Sequence, residues 1–394
     1  MLPPNSIINV NAHLHTPYSF SAFENLTDAL DQAVRENVNV IGINDFYTTD
    51  GYLEWHDESL KRRLFPLFNI EMISLQEEDQ TAGIRVNDPN NPGRTYLSGK
   101  GLRYPAFFSE PYASLLDGVR LASNLQVERM CQKLNELPEM KKSGFYLDFE
   151  RIKSELTKGS VRERHLAKAL RMEVYRQMND GAEAISAFFE QLFGGKPLKS
   201  GVNNHAAVEN EIRANLLKAG GPAFIPEDPS TFLPFGTVCE MILAAGGIPT
   251  YPFLADDPKG EFTDFERDLE KAAAILKQRN IFSVEFITPR NSPETLEKYV
   301  NYLPANGFIV TFGTEHNTPA PEPIELFARG STPLSDRLKQ INYESACVIA
   351  SHQERVKNGL SGYVAYNGLP ELSYREDFVS EGNDLIHKTL NIII

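Results

Sequence analysis

Short runs of β-branched and apolar residues alternate with stretches of helical period along most of the chain, and this alternation predicts a β/α architecture. The run Ile7-Ile8-Asn9-Val10 reads as a buried strand. Leu26, Ala29, Leu30, Ala33 and Val34 then recur at helical spacing across 24–37, with Asn25 or Thr27 placed to cap the helix. Residues 38–45 form a second strand and 64–70 a third. Such a β-α-β order predicts parallel strands, whose functional loops gather at the carboxyl ends. Residues 77–102 are polar and rich in Asn, Pro and Gly, and read as loop. The Gly99-Lys100-Gly101 step lacks the spacing of a phosphate-cradling Walker loop. From 112 to 217 nearly everything has helical period, which predicts a helical insertion.

Alternation resumes after Gly221. A helix from Phe235 ends at Gly246-Gly247, where glycine supplies a left-handed cap, and 248–252 is a short strand. Phe262, Phe265, Leu269, Ala272, Ile275 and Leu276 stripe another helix. Residues 281–287 form a strand ending near Arg290, and Ser292-Pro293 opens a helix with a cap and a first-turn proline. The strand 307–312 delivers Gly313-Thr314-Glu315-His316 to its carboxyl end. Beyond it come Pro319, Pro321 and Pro323, then helical stretches at 334–340 and 344–357. The expected organisation is a barrel over 1–317 with its insertion at 112–217, and an extension over 318–394 that packs on the barrel or makes a subunit contact.

Composition narrows the function classes. The 394 residues carry a net charge of −14, so the bulk field repels a polyanion and long nucleic acid is not the expected partner. Lys61-Arg62-Arg63 and Lys141-Lys142 read as solvated helix faces. No apolar run approaches membrane-spanning length and no signal peptide is evident. The three cysteines, Cys131, Cys239 and Cys347, are far apart, which fits a reducing compartment and offers no thiolate metal site. A cytoplasmic location is expected.

The chemistry gathers at the predicted strand ends. His13 and His15, two apart, point the same way from one strand, and two imidazoles on one face can share a metal ion. Asp45 ends the second strand and Glu71 the third, so four potential ligands or proton carriers collect at one edge of the sheet. Arg164 and Arg290 carry the planar fork suited to phosphate oxygens.

Taken in order, these stretches resemble the PHP (polymerase and histidinol phosphatase) superfamily, in the branch acting on nucleoside bisphosphates and short oligonucleotides. His13-Leu14-His15-Thr16 is similar to its first motif, Asn44-Asp45-Phe46 stands where Thr-Asp-His is usual, and Asn69-Ile70-Glu71 is similar to the glutamate motif. Arg164-His165-Leu166-Ala167 resembles an Arg-Pro-His-x-Ala helix. Thr250-Tyr251-Pro252 stands for Ala-His-Pro, and Gly313-Thr314-Glu315-His316 resembles the closing Gly-Ser-Asp-x-His. The likeness runs from about residue 8 to 317. It implies a distorted seven-stranded β/α barrel with a metal cluster at its mouth, holding His13, His15, Glu71, His165 and Glu315 as ligands. Phe46 and Tyr251 replace two of the family's histidines, and Glu24 stands near an acidic or histidine ligand that is missing after the first motif. One or two divalent ions (zinc, manganese or iron) are therefore expected instead of three.

The function so implied is hydrolysis of a phosphoester in a small phosphorylated substrate by metal-activated water, with Asp45, Tyr251 and His316 as catalytic groups and Arg164 and Arg290 on phosphate. Two other readings stay open: a catalytically reduced scaffold or ligand-binding module, and a metal hydrolase of C–N or ester bonds. A homo-oligomer is possible on either.

Overall fold

The computed structural model describes residues 8–179, 181–318 and 322–391; Ile7, Pro319 and Pro321 lie outside them. Among the described residues eight strands form the main sheet: β1 (Asn9–Leu14), β2 (Val38–Phe46), β3 (Phe65–Leu75), β4 (Arg94–Lys100), β5 (Leu233–Pro234), β6 (Ile248–Phe253), β7 (Ser283–Ile287) and β8 (Ile309–Gly313). They follow one another around the sheet as β1-β2-β3-β4-β6-β7-β8, and β5 is a two-residue addition to β3. The circle nearly closes. Leu14 bridges Glu315 in parallel, with His15 N donating to Glu315 O at 2.8 Å and Glu315 N to His13 O at 3.0 Å. The fold is thus a distorted β/α barrel surrounded by helices.

Three expectations change. Residues 77–102 are not all loop, since Glu77–Thr81 is a short helix and Arg94–Lys100 is β4. That strand runs antiparallel to both β3 and β6, so the sheet is mixed. Its inward residues Ser98 and Lys100 are polar, which hides it from a reading that seeks apolar alternation. β3 also continues past Glu71 to Leu75, because β4 pairs along it from Ile70 to Leu75. Glu71 therefore projects from mid-strand and not from a loop.

Apolar helix faces pack the outside of the barrel. Leu26, Ala29, Leu30 and Ala33 of helix Leu26–Arg35 are buried against it, as are Leu296, Tyr299, Val300 and Leu303 of helix Pro293–Ala305. The helix expected from Phe262 begins only at Leu269, where Asp268 caps it by accepting from Lys271 N. Between β4 and β5 the chain is helical, from Tyr112–Glu136 to a π-helical turn at Arg213–Leu217. These segments bury a core of their own, including Leu134, Leu166, Leu170, Phe189 and Ile212.

The two helical stretches expected at 334–340 and 344–357 are one helix, Asp336–Lys357. It closes the barrel along the seam where β1 and β8 form no hydrogen-bonded ladder. Asn342 accepts from Phe312 N at 2.9 Å and donates to Val10 O at 3.1 Å, while Ser345 Oγ accepts from Val310 N at 3.0 Å. Gln353 similarly accepts from Phe68 N and donates to Pro66 O. A strand backbone group left unpaired in a core costs about 1–3 kcal/mol, and these side chains remove that penalty. Helix Arg375–Leu390 packs on the first so closely that a side chain on Gly382 would strike the Cys347 carbonyl.

Candidate metal centre

His13 lies within β1 and His15 just beyond it, both fully buried. β8 crosses so near that a Cβ on Gly313 would fall 2.2 Å from His13 Cβ, which explains glycine there and fixes the histidine's height in the barrel. His13 Nε2 is 3.4 Å from His15 Nε2 and 3.5 Å from Glu71 Oε2, and His15 Nε2 is 3.2 Å from the same oxygen. Ligands about 2.1 Å from a tetrahedral ion lie about 3.4 Å from one another, so this spacing suits one ion. Glu71 Oε2 is buried and receives no hydrogen bond of ordinary geometry among the described residues. His13, His15 and Glu71 form the group of metal-capable side chains found among those residues.

The other ring nitrogens are held from behind. His13 Nδ1 is 2.7 Å from Glu285 Oε2, and His15 Nδ1 is 4.0 Å from Asp45 Oδ1 with Ser19 Oγ 3.5 Å away. For His13 a carboxylate on the far nitrogen fixes the tautomer that points Nε2 at the cluster; for His15 the group within hydrogen-bond reach of Nδ1 is the Ser19 hydroxyl, which itself donates to Asp45. Burial works against the His13 imidazolium, but Glu285 and then Glu71 outweigh it and carry its pKa up to about 9. Burial likewise opposes the Glu71 carboxylate, and the two histidines pull its pKa down to about 2.

The remaining residues expected at the site divide into two groups. Arg164, Arg290, Glu71 and Glu315 line one cavity of about 560 Å³ between the barrel mouth and the helical insertion, together with Phe20, Phe46 and Arg162. Burial, followed by Arg213, lowers the Arg164 pKa to about 10, and its Nη1 has no partner among the described residues. Arg290 and Asn317 both donate to Glu315 Oε2. Glu315 is therefore engaged, and it lies outside the three-ligand group. Glu315 and His316 both have left-handed backbones, with φ of 67° and 56°, a strain common at functional turns.

The second group faces elsewhere. His165 Nδ1 accepts from Arg162 N at 3.0 Å, closing the first turn of helix Glu163–Gln177, so its proton sits on Nε2 and it joins no ligand cluster. Burial lowers its pKa to about 4. His316 accepts from Thr314 Oγ1 at 2.7 Å and donates to Glu322 O at 2.9 Å, which uses both ring nitrogens. Tyr251 is fully buried and donates to Glu266 Oε1 at 2.6 Å, away from the cavity. Asp45 accepts from Thr16 N at 2.7 Å, Thr16 Oγ1 at 2.5 Å and Ser19 Oγ at 2.6 Å, so it holds the loop after His15. Phe46 lies parallel to His15 at 5.2 Å, with Phe20 beside both.

Two participants were not foreseen, Glu285 and Lys100. Lys100 Nζ is 2.5 Å from Glu285 Oε1 and both are fully buried. A glutamate between Val284 and Phe286 in β7 was the available sign, since a charge is seldom buried without a partner.

No protein-family model and no curated protein matches the chain. Solved structures do. One is a protein described as a metal-dependent phosphoesterase from Bifidobacterium adolescentis, 17% identical with a TM-score of 0.54, over 86% of this chain and 96% of the other. A second is an amidohydrolase from Chromobacterium violaceum with sulfate and no metal bound, 14% identical with a TM-score of 0.51, over 85% and 96%. At these identities the likeness establishes a barrel fold shared with hydrolases. Among the described residues no helix is long and apolar enough to cross a membrane.

Proposed function

We propose that the chain is a PHP-type, metal-dependent hydrolase that cleaves a phosphoester of a small phosphorylated molecule. The observation that carries this reading is the triad of buried ligand atoms on His13, His15 and Glu71, with the Glu285 carboxylate behind the first imidazole and the Ser19 hydroxyl behind the second. Three protein ligands leave coordination positions open, as catalytic sites do. A divalent ion of the zinc, manganese or iron class, bound there, supplies water whose pKa falls from about 15.7 towards about 7, and a charge that polarises the phosphoryl group. One ion, not two, fits the donor set, because His165, His316 and Tyr251 are committed to other partners.

The protein's part is binding and proton handling. Arg164 brings a free guanidinium nitrogen to the cavity wall, and Arg290 lies on the same wall. A phosphate that draws Arg290 away from Glu315 leaves that carboxylate held by Asn317 alone on the cavity wall. The cavity's size suits a metabolite-sized ligand. The order of PHP-like motifs supports phosphoester over amide substrates, while the barrel is shared with a phosphoesterase and an amidohydrolase alike.

The test is turnover of p-nitrophenyl phosphate and of a p-nitroanilide with manganese or zinc added. Phosphatase activity lost in Glu71→Ala supports the reading. Activity unchanged in that variant belongs to a contaminant, and anilide cleavage alone moves the assignment to C–N hydrolysis. A metal-binding protein inert on both supports the binding-module alternative.

A further inference from the structure

Beneath the ligand cluster, inside the barrel, a lysine and a glutamate form a buried pair whose second partner is a metal-capable histidine. Lys100 Nζ reaches Glu285 Oε1 at 2.5 Å, and donates to Ala12 O and Asn44 Oδ1, each at 3.1 Å. Its three donors are thereby used. Glu285 then has one oxygen on lysine and the other, Oε2, 2.7 Å from His13 Nδ1. Asn44 turns its Nδ2 towards the same imidazole, 3.2 Å from Nδ1 and 3.1 Å from Nε2. Lys100 thus touches the backbone immediately before His13 and, through two side chains, the ring itself.

Local structure pins the lysine. A Cβ on Gly99 would lie 2.9 Å from Ile242 Cγ2, and Gly101 adopts φ of +64° with a Cβ position 2.9 Å from Ile349 Cγ2. Side chains at either place are excluded, so the strand passes close to its neighbours and Lys100 has one direction to take.

A carboxylate this close to a ligating imidazole has two alternatives: to orient the ring, or to swing round and ligate the ion itself. An ammonium fixed on its other oxygen selects the first. We propose that Lys100 is a positioning residue for the metal centre: it locks Glu285 as the acceptor for His13 Nδ1–H, so that Nε2 faces the ion and Glu285 stays out of its coordination sphere. This rests on the assignment of His13, His15 and Glu71 as ligands. It does not depend on which bond the protein cleaves.

The experiment is a double-mutant cycle on zinc affinity, measured by chelator competition for the full-length protein, Lys100→Met, Glu285→Gln and the double variant. Loss of a group that orients a ligating histidine weakens binding about ten- to a hundredfold. Each single variant is expected in that range, and the double variant is expected to bind no more weakly than Glu285→Gln alone, because the lysine acts through the glutamate. Zinc binding by folded Lys100→Met as tight as or tighter than by the original protein overturns the proposal, as do additive losses in the double variant. A purely structural lysine would lower the melting temperature and leave zinc affinity unmoved. Should Lys100→Met fail to fold, the double variant removes the buried charge with its partner and decides the matter: affinity equal to Glu285→Gln supports the proposal and a further loss overturns it. His13→Ala is the control. If it binds zinc normally, the ligand assignment has failed; if it does not, while Lys100→Met binds normally, only the role of Lys100 has.

Discussion

The two halves of the barrel mouth carry similar residue types and have opposite readiness for a metal. On the β1–β3 side, His13 and His15 are held by their Nδ1 atoms and turn Nε2 towards a Glu71 oxygen that lacks an ordinary hydrogen bond. On the β6–β8 side, His316 has both nitrogens in use, Tyr251 is bonded to Glu266, and Glu315 receives two hydrogen bonds. Ligand competence is therefore a matter of ligand atoms aimed at a common point, and not of the side chain's identity.

The strongest way to break this contrast is to remove a residue from each side. His13→Ala or Glu71→Ala should lose stoichiometric metal, measured by elemental analysis after dialysis, while His316→Ala retains it. Equal losses on both sides would mean that the halves form one polynuclear site. Acidity sharpens the same contrast. The His13 proton must leave before metal enters, so zinc affinity should rise by up to about tenfold per pH unit as pH climbs towards about 9, then level off. A flat profile from pH 6 to 8 would remove His13 from the ligand set.

Stability of the metal-free protein should run the other way. The folded state raises His13 from 6.5 to about 9, and burial raises Glu266 from 4.5 to about 8. Each binds its proton more tightly when folded. Their contributions are complete below the unfolded pKa values and are lost as pH rises through the folded ones. The melting temperature is thus expected to fall between about pH 5 and 9, and Glu266→Gln should flatten the lower part of that decline. A smaller effect belongs to Tyr251→Phe, which deletes one buried hydrogen bond. It should cost about 1–3 kcal/mol in urea unfolding and leave bound metal unchanged. The smallest concerns metal count: Tyr251→His should add no ion, because its ring packs against Phe253 and Phe265, away from the cluster.

Much of the barrel was legible in the sequence because most of its strands are apolar and its helices carry clean stripes. β4 was not, because its inward positions are Ser98 and Lys100, and an inward charge looks the same in a sequence as an outward one. The site shows a similar division. His13 and His15 lie in and just beyond β1 and Glu71 in β3, with only β2 between them, so the order of strand ends in the sequence already puts them on one stretch of the sheet. His165 and Tyr251 carry suitable chemistry by type, but their partners, a backbone amide and Glu266, are fixed only by packing. Glu285 and Lys100 are 185 residues apart by their numbers, and no local pattern joins them.

The helix Asp336–Lys357 has a consequence for the order of assembly. Its Asn342 and Ser345 complete the seam between β1 and β8, the two ends of the barrel sheet, so the β1 segment must wait for more than three hundred further residues to be made before its edge is satisfied. Contacts of such long sequence separation form slowly, because the intervening chain must be ordered first. During synthesis at about 5–20 residues per second, the half-built barrel carries an open edge for tens of seconds. The histidine pair at the end of β1 is therefore synthesised more than three hundred residues ahead of the helix that completes its edge, and is set in place only when that helix arrives.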